Sequence, residues 1–278
     1  KSGYTAPETE KRPDGGKFEA HEDLLYFPQR TKLLPGYPEI DPLVREVHSL
    51  LQGYGETCYQ VMFAGLGVAK QCEERSIAPT ECSVLRIAHY LSRDSIETPL
   101  EDSVWLYEHK DISPIAIYLP TESEGLQVKM DGKWKDLLVP DDCIVLNTGF
   151  TLERMTAGLI RPVEHRVLMP GKDEPSRERL SITFFMNFAD DFDMTPLSEC
   201  FNSYKDRVAR GLISAERTAE IEQLLTPRGT FKDFMKAEGL RRQQITRHST
   251  EEEKAAIQET LRELLAKGHL TDLFPDGL

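Results

Sequence analysis

No apolar run in the 278 residues approaches the ~20 needed to cross a bilayer as a helix. Positive charge is also short: 34 Lys and Arg against 47 Asp and Glu leave a formal net charge of -13. That balance argues against non-specific binding to nucleic acid or to an anionic membrane, because both are polyanions. Cysteine is sparse and unpatterned. Cys58, Cys72, Cys82, Cys143 and Cys200 are odd in number, widely scattered and never in a CxxC pair. Such spacing fits reduced thiols in a cytoplasmic compartment better than a disulfide framework or a zinc knuckle. The chain opens at Lys1 rather than Met, so a targeting signal ahead of it stays compatible with the sequence. What is present is ordinary for a globular protein, with 39% hydrophobic and 29% charged residues and enough length for a substantial core.

Three regions follow from the patterning: 1–82, 83–190 and 191–278. The stretch from Lys1 to about Ile40 is rich in Pro, Gly and charge and reads as an irregular arm. Asp41 as N-cap and Pro42 at the first helical position open a long helix, with Leu43, Val47, Leu50, Leu51, Tyr54 and Cys58 as its apolar stripe. From Ser83 the period changes to two. Strands are expected over Val84 to Tyr90, Pro114 to Leu119, Leu126 to Met130, Cys143 to Leu146, Arg166 to Met169 and Leu180 to Phe185. Asp131-Gly132 marks a tight hairpin. Many short strands with turns between them indicate a β-sandwich or barrel. After Pro196 the pattern is helical: Ser214, Thr230 and Ser249 (with Glu252 as a capping box) each open a helix, the last carrying Ile257, Leu261, Leu264 and Leu265. That stripe serves either packing on the β-core or a homo-oligomer contact.

The chemistry starts at His109-Lys110-Asp111. Two apart on a strand, an imidazole and a carboxylate point to one face. One further imidazole from a distant strand would complete a 2-His-1-carboxylate triad, which holds Fe(II) and leaves positions open. An H-x-D alone is a common chance pair. Its surroundings are not. Gly125-Leu126-Gln127, Trp134, Pro140, Asn147-Thr148-Gly149, His165-Arg166-Val167, Arg179-Leu180-Ser181 and Phe184-Phe185 follow it in order.

In that order and spacing, roughly over Leu85 to Phe188, the chain resembles the isopenicillin-N-synthase-like branch of the Fe(II)/2-oxoglutarate oxygenases. The resemblance implies a mainly β fold: a double-stranded β-helix (jelly roll) core, with an N-terminal helix and a helical C-terminal extension. It implies His109, Asp111 and His165 as iron ligands, and Arg179 with Ser181 as the grip on the distal carboxylate of 2-oxoglutarate. Tyr90 matches a tyrosine whose hydroxyl often joins that carboxylate site, and reads equally well as a core aromatic. With Fe(II), 2-oxoglutarate and O2, the expected reaction oxidises a small-molecule substrate, by default through hydroxylation, and releases succinate and CO2.

The chain also departs from the family pattern. Phe150 replaces an Asp and Thr156-Ala157-Gly158 replaces Ser-Asn-Gly, both at expected turns. Ala88 stands where some relatives carry Asn, the loop Pro170 to Glu178 is long, and Arg177 is a possible rival to Arg179. The usual N-terminal strand-and-helix segment reads as removed or replaced by the arm. Three other readings stay open: an iron oxidase that does not use 2-oxoglutarate, a zinc hydrolase on the same ligands, and a non-catalytic metal-binding β-sandwich. His21, His48, His89, His248 and His269 have no partner at ligand spacing and read as surface or packing residues.

Overall fold

The computed structural model describes residues 3–6, 20–28, 38–75, 82–96, 104–121, 124–225, 229–233, 259 and 262. In chain order the elements are β1 (Gly3–Thr5), β2 (His21–Tyr26), α1 (Ile40–Gly65), α2 (Ala69–Glu74), β3 (Val84–Tyr90), β4 (Val104–His109) and β5 (Ile115–Tyr118). They continue with β6 (Leu126–Met130), β7 (Lys133–Asp136), β8 (Val145–Thr148), α3 (Phe150–Met155), β9 (His165–Leu168), β10 (Arg179–Met186), α4 (Ser198–Ala209) and α5 (Ala215–Leu225). The strands form two antiparallel sheets: β1-β2-β3-β10-β5-β8 and β4-β9-β6-β7. This is the expected jelly-roll architecture, mainly β with flanking helices.

Alternation divides each strand between two environments. Phe184 and Met186 of β10 and Ile115 and Ile117 of β5 join Leu51, Tyr59 and Phe63 of α1 in the larger core. The opposite faces of β3 and β10 point between the sheets, where Ala88, Tyr90, Trp105, Val167 and Met169 form a smaller core. The larger core thus carries the helix, and the smaller one borders the site. The β6–β7 hairpin turns through Asp131 and Gly132, both at positive φ, as its Asp-Gly pair requires.

Several expectations need correction. The arm is not all irregular: His21–Tyr26 pairs with Leu85 to Tyr90 of β3, and Gly3–Thr5 pairs with it in turn. In α1 the N-cap is Glu39, and Asp41 lies inside the first turn, where it pairs with Arg45 four residues on. The stripe also differs. Val44, His48, Leu51, Gly55, Tyr59 and Phe63 are buried, whereas Leu43, Leu50, Tyr54 and Val61 face outward. Two apolar stripes overlap in this helix, and the one with the polar and small residues wins. Gly55 explains part of the choice, since a Cβ there would stand 2.1 Å from Met186 Sδ. His48 explains another part: its Nε2–H donates to the Ser83 carbonyl at 3.3 Å and its ring meets Phe184 edge-on.

One expected strand is displaced along the chain: β8 runs over Val145–Thr148 rather than Cys143 to Leu146. Phe150 is not in a turn but opens the short helix α3. Ala157 and Gly158 do turn at positive φ. At the C-terminal side α4 falls in the stretch after Pro196 expected to be helical, although none of the expected helix starts belongs to it. Ser214 caps α5 through the Arg217 amide at 3.1 Å. Thr230 and Asp233 exchange capping bonds at 3.2 and 3.3 Å. Gly239 as a helix end lies outside the described residues. Of the helix expected from Ser249, only Glu259 and Arg262 are described, both helical and ion-paired at 3.1 Å.

Candidate metal and co-substrate site

His109 ends β4 and stands opposite His165, the first residue of β9. Their ring centroids are 4.3 Å apart. Asp111 is not on the strand, as the two-residue spacing suggested, but in the turn that follows it. That turn is fastened to the start of α3: the amides of Gly149, Phe150 and Thr151 donate to the carbonyls of Pro114, Asp111 and Ile112 at 2.9, 2.7 and 3.2 Å. A Cβ on Gly149 would lie 1.9 Å from the Ser113 carbonyl oxygen and 2.7 Å from that of Asp111. Gly149 is therefore a steric requirement of the carboxylate's position.

The three side chains meet. Nε2 of His109 and of His165 lie 3.6 and 3.7 Å from Asp111 Oδ1. One donor atom from each residue falls within 4.8 Å of the others, close enough to share one metal ion. The outer nitrogens are already committed. Nδ1–H of His109 donates to the Tyr107 carbonyl at 2.6 Å, and that of His165 to the Val163 carbonyl at 3.2 Å. Each ring is thereby held as the tautomer whose Nε2 lone pair faces the cluster.

Asp111 is buried, and burial alone would raise its pKa. The neighbouring imidazoles and the Tyr118 hydroxyl outweigh that effect and hold the carboxyl well below the usual carboxylate range. Its second oxygen, Oδ2, accepts from the Tyr118 hydroxyl at 2.5 Å and from Asn147 Nδ2 at 2.6 Å. The first oxygen is left for the imidazole side. Burial and Asp111 together push the Tyr118 phenol well above its ordinary pKa, so it stays a proton donor. A buried anion between two neutral nitrogen donors, each oriented from behind, fits a borderline divalent cation such as iron.

A cavity of about 210 Å³ opens beside this cluster, lined also by Tyr90, Arg179 and Ser181. Arg179 and Ser181 are on the inward face of β10, two residues apart. Arg179 is 4% exposed, and among the described residues it makes no hydrogen bond and no ion pair. Its guanidinium lies 5.4 Å from the centre of the Tyr90 ring. Burial lowers its pKa, although an arginine remains charged. A buried cation without an anion is costly, so this one implies a ligand anion. Arg177 lies apart, exposed and paired with Glu124 at 3.5 Å.

The other described histidines are elsewhere, and His248 and His269 lie outside the described residues. His89 points away from Tyr90 and bridges Glu22 and Glu178 at 2.8 and 3.1 Å. His21 is buried, 3.1 Å from Asp23. Sequence reasoning misses three residues of the site: Tyr118, Asn147 as a side chain, and Arg86. The signal for Arg86 was available, because it is a charge in an apolar strand, just as Arg179 is.

The comparisons with known proteins agree with this geometry. Residues 81–188 match the sequence model of the 2OG-Fe(II) oxygenase superfamily. A 95-residue stretch, 34% of this chain, is 34% identical to 2-oxoglutarate-dependent dioxygenase 11 of Oryza sativa subsp. japonica and covers 26% of that protein. Over 104 residues, 37% of this chain, the identity to gibberellin 2-beta-dioxygenase 3 of Arabidopsis thaliana is also 34%, covering 29% of it. The matched part therefore spans less than a third of either relative. The fold resembles that of a 2OG-Fe(II) oxygenase family protein from Caulobacter crescentus. The TM-score is 0.63 at 23% identity, over 85% of this chain and 74% of that one.

Proposed function

We propose that this chain, whose residues 81–188 match the sequence model of the 2OG-Fe(II) oxygenase superfamily, is an Fe(II)- and 2-oxoglutarate-dependent oxygenase. Its reaction oxidises a small-molecule substrate, by default through hydroxylation, and releases succinate and CO2. The observation that carries this reading is Arg179: a buried guanidinium with no partner among the described residues, on the wall of the cavity that His109, Asp111 and His165 also line. A zinc hydrolase or a passive metal site would leave that cation unexplained.

Each side chain then has a task. His109, Asp111 and His165 hold iron, which when bound supplies the activation of O2. Tyr118 and Asn147 fix Asp111 and keep it anionic. Arg179 pairs with the distal carboxylate of 2-oxoglutarate, and the Ser181 hydroxyl adds a hydrogen bond. Tyr90 supports Arg179 from its ring face and packs against Trp105, their ring centroids 5.8 Å apart. Leu106, Leu126 and Val167 keep the neighbouring wall apolar and limit water.

The test is anaerobic reconstitution with Fe(II) and 2-oxoglutarate. A metal-to-ligand charge-transfer band is expected, followed by succinate once air is admitted. A folded protein that gives neither is not a 2-oxoglutarate enzyme, and a band-free protein that still consumes O2 would be the iron oxidase instead. Arg179→Ala should raise the 2-oxoglutarate requirement at least tenfold with iron content unchanged. His165→Ala should abolish iron binding.

The same reading assigns catalysis to 83–190, with 1–82 and 191–278 as packing segments. It places the protein in the cytoplasm, where its five cysteines stay thiols. It excludes nucleic acid and membrane as partners because of the net charge of -13. The helical C-terminal region, where Phe201, Val208 and Leu212 are exposed, is its candidate contact for a homo-oligomer. No described helix is long and apolar enough to cross a membrane.

A further inference from the structure

Arg86 is the second arginine of the cavity wall. The sheet register gives its level. Arg86 stands beside Thr183 on β10, and Thr183 beside Tyr118 on β5, whose hydroxyl donates to Asp111. Arg86 is thus in line with Tyr118, two strands away, about 10 Å across the sheet. Arg179 is four residues further along β10, about 13 Å from that row by strand rise. A 2-oxoglutarate held between Arg179 and the triad therefore lies in a different direction from Arg86.

Arg86 is also aimed. Its Nε and Nη2 donate to Asp23 Oδ1 and Oδ2 at 2.8 and 3.2 Å, and Asp23 is 4% exposed. Burial would raise the Asp23 pKa, but Arg86 and His21 together hold it well below the usual carboxylate range. His21 Nε2 lies 3.1 Å from the same carboxylate, so one buried anion is shared by two basic groups. With Nη2 also 2.9 Å from His21 Nε2, this backing fixes the plane of the guanidinium at the cavity wall.

The rest of the lining sets the ligand. Leu106, Leu126, Leu137, Leu138, Val139 and Phe185 present apolar surface. Glu124 and Asp141 bring negative charge to the lining, which disfavours a polyanion. Resting on the oxygenase reading above, we propose that Arg86, oriented by Asp23 and His21, anchors the carboxylate of the oxidised substrate, which is a small monoanionic acid with an apolar body.

The probes are 4-phenylbutanoate and octanoate, each against its primary amide. Calorimetry measures their binding to the anaerobic protein loaded with Fe(II) and 2-oxoglutarate, and separately to the iron-free protein. Each acid should bind at least tenfold more tightly than its amide. The preference should fall below threefold in Arg86→Gln and persist in part in Arg86→Lys. Because Arg86→Gln leaves the buried Asp23 with His21 alone, the double variant Asp23→Asn/Arg86→Gln, with its fold checked by thermal melting, should show the same loss. Equal binding of acid and amide, binding of neither, or a preference that survives in the folded variants would overturn the proposal. If the wild type shows no charge-transfer band, the oxygenase reading fails, while calorimetry on the iron-free protein still decides whether Arg86 selects carboxylates.

Discussion

Asp111 is the residue on which the site turns, and it is held by groups that no ligand pattern names. Tyr118 and Asn147 occupy one of its oxygens at 2.5 and 2.6 Å and orient the other. Removing such a supporting hydrogen bond typically weakens metal binding about 10- to 100-fold. Tyr118→Phe should accordingly lower iron affinity by about tenfold, read by chelator competition, while the 2-oxoglutarate requirement of the iron-saturated protein stays near that of the wild type. A shift in that requirement instead would place Tyr118 in the co-substrate site. At this scale His109 and Asp111 were legible, since the H-x-D pair is local. Tyr118 was not, because it looks like any aromatic in a strand until its neighbours across space are known. Tyr90 stands between the two: the sequence left it as carboxylate partner or core aromatic, and it lies both on the cavity wall and under Arg179.

The elements show where local pattern stops deciding. α1 has two apolar stripes, and the buried one is fixed by its fit to β10 at Gly55 and by His48 at Ser83. Leu51→Ala should therefore cost about 2–5 kcal/mol of stability, as core truncations do. Leu43→Ala, on the exposed stripe, should stay within about 0.5 kcal/mol. Urea unfolding of the two variants distinguishes the faces. The start of α3 is the other informative element. Gly149→Ala places a methyl against the Ser113 and Asp111 carbonyls, so it should displace the Asp111 turn and reduce iron content before it unfolds the protein. Thermal melting and metal analysis on the same sample would separate those effects. Hairpin and strand content were readable from period two and the Asp-Gly pair. β2 was not, because its apolar residues are preceded by His21, Glu22 and Asp23, which look solvent-facing until Arg86 is set beside them.

For the molecule as a whole, two buried carboxylates set the acid response of the iron-free protein. Asp23 and Asp111 both titrate below their ordinary range in the folded state. Each lowered pKa contributes stability that is fully present above the unfolded value of about 3.9 and is lost as pH falls through it towards the folded one. The urea midpoint should therefore drop steeply below about pH 4. Asp23→Asn/Arg86→Gln should flatten that slope by one proton-linked step, and an unchanged slope would mean that Asp23 is not held ionised. The sequence by itself determined the class of fold, the order of the chemical groups and the likeness to an oxygenase family, because period, turn residues and motif spacing are properties of neighbours along the chain. Only the tertiary structure decided which face of α1 is buried, that Asp111 sits in a turn rather than on a strand, and that Arg86 and Arg179 border one cavity in different directions. Those outcomes depend on strand register and close approach between residues far apart in sequence, where packing chooses among locally equivalent patterns.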